Sequence, residues 1–247
     1  MNLNIQNPPF DSSQLDRVGL KVARDVEFDS CELVSSPLVW SPTPWWKRAI
    51  DLVVSAIALV LLMPLLAMIA LYIRCVSSGP AIFKQSRLGE MGRPFVIFKF
   101  RTMHTSDPEM ATLEHRDYVS SLAELDEVIA KPDLSHRLIP GGAFLRQRSL
   151  DELPQLLNVF KGDMSLVGNR PLPVYEAEHL TTDEAIYRYA APAGITGLWQ
   201  VTERGKSGVS ADSRKRLDVK YAQSYSFKLD LWILFKTPVA ALQQENV

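Results

Sequence analysis

The sequence predicts an α+β protein, mostly helical with a small strand component, and held at a membrane by one apolar segment. Three observations lead there. Residues 52–73 read LVVSAIALVLLMPLLAMIALYI, with no charge among them. Residues 79–103 alternate turns with short extended runs. The rest of the chain shows helix-length patterns rather than the strand–helix alternation of a doubly wound sheet. No Gly-x-Gly-x-x-Gly fingerprint and no Walker loop occurs.

In chain order, residues 1–43 are read as a leader, flexible or peripheral, ending near Pro42 and Pro44. They lack the apolar stretch of a secretory signal. Asp11, Asp16, Asp25 and Glu27 are wrong for a transit peptide. The whole chain of 247 residues carries 27 Lys and Arg against 28 Asp and Glu, a formal net charge of -1, which argues against a nucleic-acid binder. Cys31 and Cys75 are too few for a disulfide scaffold and lack metal-site spacing, so a reducing compartment is expected.

The apolar run of residues 52–73 would be about 33 Å long as a straight helix, enough for the hydrocarbon layer of a bilayer. Yet Lys47 and Arg48 precede it, and Arg74 and Lys84 follow it. A spanning helix usually has its positive charge on one side. Pro64, near the middle, removes a backbone donor and favours a kink. The residues alone admit both a spanning helix and a re-entrant one. Asp51, at the edge of the run, could pair with Arg48 or with a basic residue beyond the membrane.

After the Ser78-Gly79-Pro80 break, residues 81–84 and 95–100 read as strands around a Gly89-Glu90-Met91-Gly92 turn. Helices are expected over residues 107–130, 150–160, 173–179 and 210–225. A second apolar element, residues 225–239, is broken by Lys228, Asp230 and Lys236 and cannot span. Tyr225, Phe227, Trp232 and Phe235 suit either an interfacial helix or a core helix.

Chemistry concentrates in residues 144–171, FLRQRSLDELPQLLNVFKGDMSLVGNRP. Asp151 and Glu152 are adjacent carboxylates in a basic and apolar setting. Ser149 with Glu152 fits a capping box, or Asp151 is itself the cap. Either option puts the pair at a helix start, where the dipole favours the ionised form. Such a carboxylate can attack phosphorus, hold Mg²⁺ against a diphosphate, or simply cap the helix. Arg146, Arg148 and Arg170 flank it, and Lys99 and Arg101 come from KFRTM; these are the usual clamps for phosphate oxygens. Residues 188–200, RYAAPAGITGLWQ, could shape a nucleotide or sugar pocket.

Together, KRAIDLVVSAIALVLLMPLL, SSGPAIFKQSRLGEMGRPFVIFKFRTM, the 144–171 block, PAGITGLWQV and LDVKYAQSYSFKLDLWILFKT resemble the monotopic phosphoglycosyl transferases, or bacterial sugar transferases, over about residues 47–240. The resemblance is to the small, catalytic-core-only members. It implies a re-entrant helix–break–helix at residues 44–78, with Pro64 at the break. It implies a cytoplasmic catalytic domain at residues 79–247 with membrane-surface helices. It implies a hexose-1-phosphate transfer from a UDP-sugar to undecaprenyl phosphate, at the cytoplasmic face of a bacterial inner membrane. Asp151 would be the nucleophile and would lie beside Mg²⁺. Glu152 would position or deprotonate the acceptor. Lys99, Arg101, Arg146 and Arg170 would bind substrate or phosphate, and Arg148 is added to them on its charge and position alone. UMP would leave. GITGLWQV is most similar to members that start exopolysaccharides with galactose or glucose, and the resemblance leaves room for a homodimer.

Three positions depart from the family pattern. Asn169 stands where a Pro-Arg-Pro motif has its first proline, which should alter the stiffness of that loop. Met63 replaces the serine of a Ser-Pro break. PAGITG carries one residue more than Pro-Gly-Ile-Thr-Gly. Other classes fit less well. A glycosyltransferase releasing UDP would usually show an Asp-x-Asp motif, and none occurs. A non-catalytic assembly scaffold would not need Asp151 among several cations. A lipid phosphatase would need a histidine or metal cluster, and His104, His115, His136 and His179 are scattered.

Overall fold

The computed structural model describes residues 43–104, 137–173, 177, 185–203 and 211–242. The helix expected over residues 107–130 and most of that expected over 173–179 lie outside the described residues, as do the leader 1–42 and the segment 204–210.

The first element is α1, Trp45–Val76, 32 residues long. At the usual rise it extends about 48 Å if straight, well beyond a hydrocarbon layer of about 30 Å. Helical backbone runs through Pro64, so the expected break does not interrupt the element. Only 11% of its most apolar stretch is buried, which separates it from the core helix of a soluble protein. Val60, Leu61, Met63, Met68 and Leu71 are exposed. Among the described residues this is the one helix long and apolar enough to lie in a membrane.

Both ends of α1 are fastened to the rest of the molecule. At the N-terminal end Lys47 Nζ lies 2.5 Å from Asp230 Oδ2 and donates to the Val167 carbonyl at 2.7 Å. Arg48 donates to the carbonyls of Val159 and Phe160, at 2.6 and 2.8 Å. Asp51 accepts a hydrogen bond from the Leu166 N–H at 2.9 Å and interacts electrostatically with Lys47 and Arg48. Toward the C-terminal end Ile69 and Ile73 pack with Phe100, Ile139 and Leu145. The Tyr72 hydroxyl reaches the Pro140 carbonyl at 3.1 Å.

Strands β1, Ile82–Leu88, and β2, Pro94–Phe100, form an antiparallel hairpin in the register Ile82↔Phe100 to Leu88↔Pro94. A 3-10 turn, Glu90–Gly92, joins them, with Met91 and Gly92 at positive φ. The expected strand pair is present, and its first strand runs four residues further than residues 81–84 suggested. A 3-10 segment at Leu150–Gln155 packs on β2 between α2, Gly142–Gln147, and α3, Leu156–Lys161. Asn158 on α3 seals the open edge of β2. Its Oδ1 accepts from the Phe98 N–H at 3.0 Å and its Nδ2 donates to the Val96 carbonyl at 2.7 Å.

Strand β3, Ser165–Val167, precedes β4, Leu172–Pro173, which pairs antiparallel with β1 and gives the order β2-β1-β4. Pro173, expected to open a helix, thus ends a strand. A 3-10 turn at Ala185–Ala190 leads to β5, Gly194–Thr196, which pairs in parallel with β3. The backbones approach so closely that a Cβ on Gly168 would lie 2.2 Å from the Pro192 carbonyl oxygen, and one on Gly194 2.1 Å from the Gly168 nitrogen. The glycines of VGNRP and PAGITG are therefore packing residues of one joint.

Helices α4, Leu198–Thr202, α5, Ala211–Ser224, and α6, Phe227–Leu242, complete the described chain. On α6 the core reading of the second apolar element holds for one face, and the other face is exposed. Ile233 is fully buried in the main core with Leu156, Val159 and Val167, while Phe235 and Val239 are exposed.

Candidate active site

The site assembles where β2, the 3-10 segment at Leu150–Gln155 and the loop between β3 and β4 meet. Lys99 comes from β2 and points toward the 3-10 segment, where its Nζ lies 2.8 Å from Glu152 Oε1. Arg170, from the loop, brings a guanidinium nitrogen to 3.5 Å of the same carboxylate oxygen. Asp151 and Glu152 both occupy the first turn of the 3-10 segment. Arg146, near the end of α2, donates from Nε to Thr102 Oγ1 at 2.9 Å and interacts electrostatically with Asp151.

The capping expectation is corrected. Ser149 precedes the segment at φ 53, in the left-handed region, and its side chain makes no capping bond. Asp151 lies inside the first turn rather than before it. A serine at positive φ is an uncommon backbone choice, and here it reverses the chain two residues before Asp151.

The expectation that the helix start would favour an ionised carboxylate is also overturned. Burial pushes the Asp151 carboxyl up to about 6, and the neighbouring Glu152 charge adds to that. Lys99, Arg146 and Arg170 oppose the rise without cancelling it. Burial likewise lowers Lys99 below the ordinary lysine range, against the pull of Glu152, and lowers Arg146 against the pull of Asp151. The result is a desolvated carboxylate pair inside a ring of cations, a combination that marks functional sites.

Two of the expected phosphate ligands are placed elsewhere. Arg101 is 5% exposed and donates to the carbonyls of Ser77, Ser78 and Gly79, just past the C-terminus of α1. It braces the chain leaving the membrane helix. Arg148 is exposed, with its guanidinium 5.8 Å from the centre of the Phe144 ring. Lys99, Arg146 and Arg170 are the three brought together with Asp151 and Glu152.

Sequence reasoning missed what holds Arg170. Asn169 donates from its backbone to the Pro192 carbonyl at 3.0 Å, and from Nδ2 to the carbonyls of Arg188 and Asp218, at 2.8 and 2.9 Å. Arg188, paired with Asp218 at 2.6 Å, donates to the Arg170 carbonyl at 3.0 Å. Arg87 donates to the Pro171 carbonyl at 2.9 Å. A proline at 169 would lack the first of these donors, so the asparagine fixes the loop by hydrogen bonds rather than by its ring. Arg87 and Arg188 carried no sequence signal that set them apart from surface arginines.

Beside Glu152 opens a cavity of about 130 Å³ whose wall includes Ile195, Thr196 and Gln200 from the RYAAPAGITGLWQ block. Among the described residues there is no group of three or more His, Cys, Asp or Glu side chains that could hold a metal. The donor set at the dyad is one or two carboxylates. Such carboxylates are hard oxygen donors of the kind that Mg²⁺ takes.

Residues 43–244 match the family described as bacterial sugar transferase. The chain is 39% identical over 202 residues to an undecaprenyl-phosphate galactose phosphotransferase of Salmonella typhimurium, covering 81% of this chain and 41% of that protein. It is 38% identical over 207 residues to a UDP-glucose:undecaprenyl-phosphate glucose-1-phosphate transferase of Caulobacter vibrioides, covering 81% of this chain and 71% of the relative. Against the exopolysaccharide production protein ExoY of Rhizobium meliloti, identity is 36% over 191 residues, covering 77% and 83% of the two chains. The chain thus spans well under half the length of some curated relatives and most of the length of others.

Proposed function

Because this chain belongs to the bacterial sugar transferase family, the membrane phosphoglycosyl transferases related to exopolysaccharide-initiating enzymes, we propose that it transfers a hexose-1-phosphate from a UDP-sugar to undecaprenyl phosphate and releases UMP. The observation that carries this is the buried Asp151–Glu152 pair ringed by Lys99, Arg146 and Arg170. A simple sugar transfer would need no nucleophile aimed at phosphorus.

In this reading an Asp151 carboxylate oxygen attacks the β-phosphorus of the donor. The bond from that phosphorus to the oxygen bridging the two phosphates breaks, and UMP leaves with the bonding pair. The sugar phosphate is then held on Asp151 as a mixed anhydride. An oxygen of the lipid phosphate attacks the same phosphorus, and the Asp151 carboxylate is freed. Lys99, Arg146 and Arg170 offset the charge of two anions meeting in a desolvated pocket. Glu152, held by Lys99, orients the acceptor or takes a proton from it. Mg²⁺, held by Asp151, would supply further neutralisation of the diphosphate.

Burial of Asp151 suits this role. A carboxylate stripped of water is a stronger nucleophile, and one titrating near 6 is still mostly ionised at neutral pH.

We infer further that α1 enters and leaves the membrane on the cytoplasmic side. Two features support this: cations at both ends, and attachment of both ends to one folded body. The lipid phosphate then meets the site at the interface, beside the exposed apolar face of α6.

The test is to incubate the purified protein in nanodiscs with Mg²⁺, undecaprenyl phosphate and a panel of UDP-sugars, and to identify the released nucleotide. UMP supports the proposal and names the donor. UDP would replace it with simple glycosyl transfer.

A further inference from the structure

The cavity beside Glu152 has a second feature that the dyad does not use. Gln200, on α4, is 4% exposed and lines it. Its Nε2 donates to the Ile195 carbonyl at 3.0 Å, but its Oε1 is a buried acceptor without a partner. An unpaired buried acceptor costs stability, and one on a cavity-lining side chain can be satisfied by a donor on a molecule bound there.

Resting on the phosphosugar reading, we propose that this cavity is the subsite for the donor's hexose ring and that Gln200 is a specificity-determining residue, whose Oε1 accepts a hydrogen bond from a sugar hydroxyl. Three considerations select the sugar over the other parts of the substrates. The hexose is attached directly to the phosphorus that Asp151 attacks, and Glu152 is part of the cavity wall. The uracil ring is separated from that atom by a ribose and a second phosphate. The prenyl chain of the acceptor has no donor to satisfy Gln200. The walls also suit a pyranose, which presents an apolar C–H face and polar edges. Leu153, Leu156 and Ile195 supply apolar contact, and Ser149 and Gln200 supply polar atoms. Thr196 and Thr237, whose hydroxyls lie 2.8 Å apart, close one side and tie β5 to α6.

The experiment pairs deoxy donors with a Gln200 variant. In the UMP-release assay, the preferred UDP-hexose is compared with its monodeoxy analogues, for the native protein and for Gln200→Met. One deoxy analogue should lose about tenfold in kcat/KM with the native protein, the size of one lost hydrogen bond. With Gln200→Met the parent sugar should fall by a similar factor, and the penalty for that analogue should vanish. Competitive inhibition by UMP should be the same for both proteins, which shows that the nucleotide site and the fold are intact. Gln200→Glu, which keeps an acceptor oxygen, should restore discrimination between the parent sugar and that analogue. A deoxy penalty that persists in Gln200→Met, or a variant that weakens every donor and UMP alike, would overturn the assignment while leaving the reaction intact. Absence of UMP with every donor would overturn the reading of the reaction, and this subsite with it.

Discussion

At the scale of single residues, the site sets stability against chemistry. The Asp151 carboxyl is raised from 3.8 to about 6, so its ionised form is less favourable in the folded protein than in the unfolded chain. The resulting penalty is absent below about pH 3.8, grows as pH rises to about 6, and is constant above that. Its upper limit is about 3 kcal/mol. Asp151→Asn should therefore abolish transfer and yet raise the melting temperature at pH 7.5. The gap should close as pH falls toward 4, which thermal unfolding in detergent at two pH values would register. The same titration predicts that UMP release rises with pH through about 6 and levels off above it. A rate that is flat from pH 5 to 8 would remove Asp151 as the titrating nucleophile.

The arginines divide on the same physical grounds. Arg101 faces the carbonyls of residues 77–79. Arg101→Ala should cost about 2–4 kcal/mol of stability, because buried carbonyls lose charged donors. Arg148→Ala, on the surface, should change stability by no more than about 0.5 kcal/mol. Loss of Arg170 should instead lower kcat/KM with little change in melting temperature. Spacing alone could not separate these roles, because KFRTM and FLRQRS present their cations at similar density. Which way a guanidinium turns depends on carbonyls remote in sequence.

At the scale of elements, much was legible. The β1–β2 hairpin followed from its Gly-rich turn and α1 from an uncharged run, and α5 lies where a helix was expected over residues 210–225. The 3-10 geometry at Leu150–Gln155 was not, because Ser-x-x-Glu reads as a capping box until the backbone of Ser149 is known to be left-handed. The pairing of β3 with β5 was equally hidden. Both strands have three residues, and only the glycines at 168 and 194 hint that two backbones touch. Asn169 belongs to this joint. Asn169→Ala should remove the two side-chain bonds to the Arg188 and Asp218 carbonyls and loosen the loop that presents Arg170. The expected result is a rise in donor KM and a loss of about 1–3 kcal/mol of stability. A variant equal to the native protein in both would show that the backbone bonds alone hold the loop.

At the scale of the whole molecule, an apolar helix is tied at both ends to a body that carries a cationic carboxylate site. That arrangement suits a reaction whose donor is soluble and whose acceptor is a lipid. It also predicts a topology. With Cys31 and Cys75 replaced by serine, Trp45→Cys and Ser78→Cys should both react with an impermeant maleimide only when the cytoplasmic face is open. Labelling from opposite sides would mean that α1 crosses the bilayer. The sequence could not decide this. The flanking charges favour return, the length of the run favours crossing, and the contacts of Lys47, Arg48 and Tyr72 that fasten the two ends reach residues 68 to 183 positions away.

Covalent chemistry at Asp151 is tested by intact-protein and peptide mass spectrometry after incubation with the UDP-sugar and Mg²⁺ in the absence of lipid acceptor. A mass increase of one hexose phosphate is expected on the peptide carrying Asp151, lost on addition of undecaprenyl phosphate and never formed by Asp151→Asn. UMP release without any adduct, or an adduct that persists in Asp151→Asn, would contradict it.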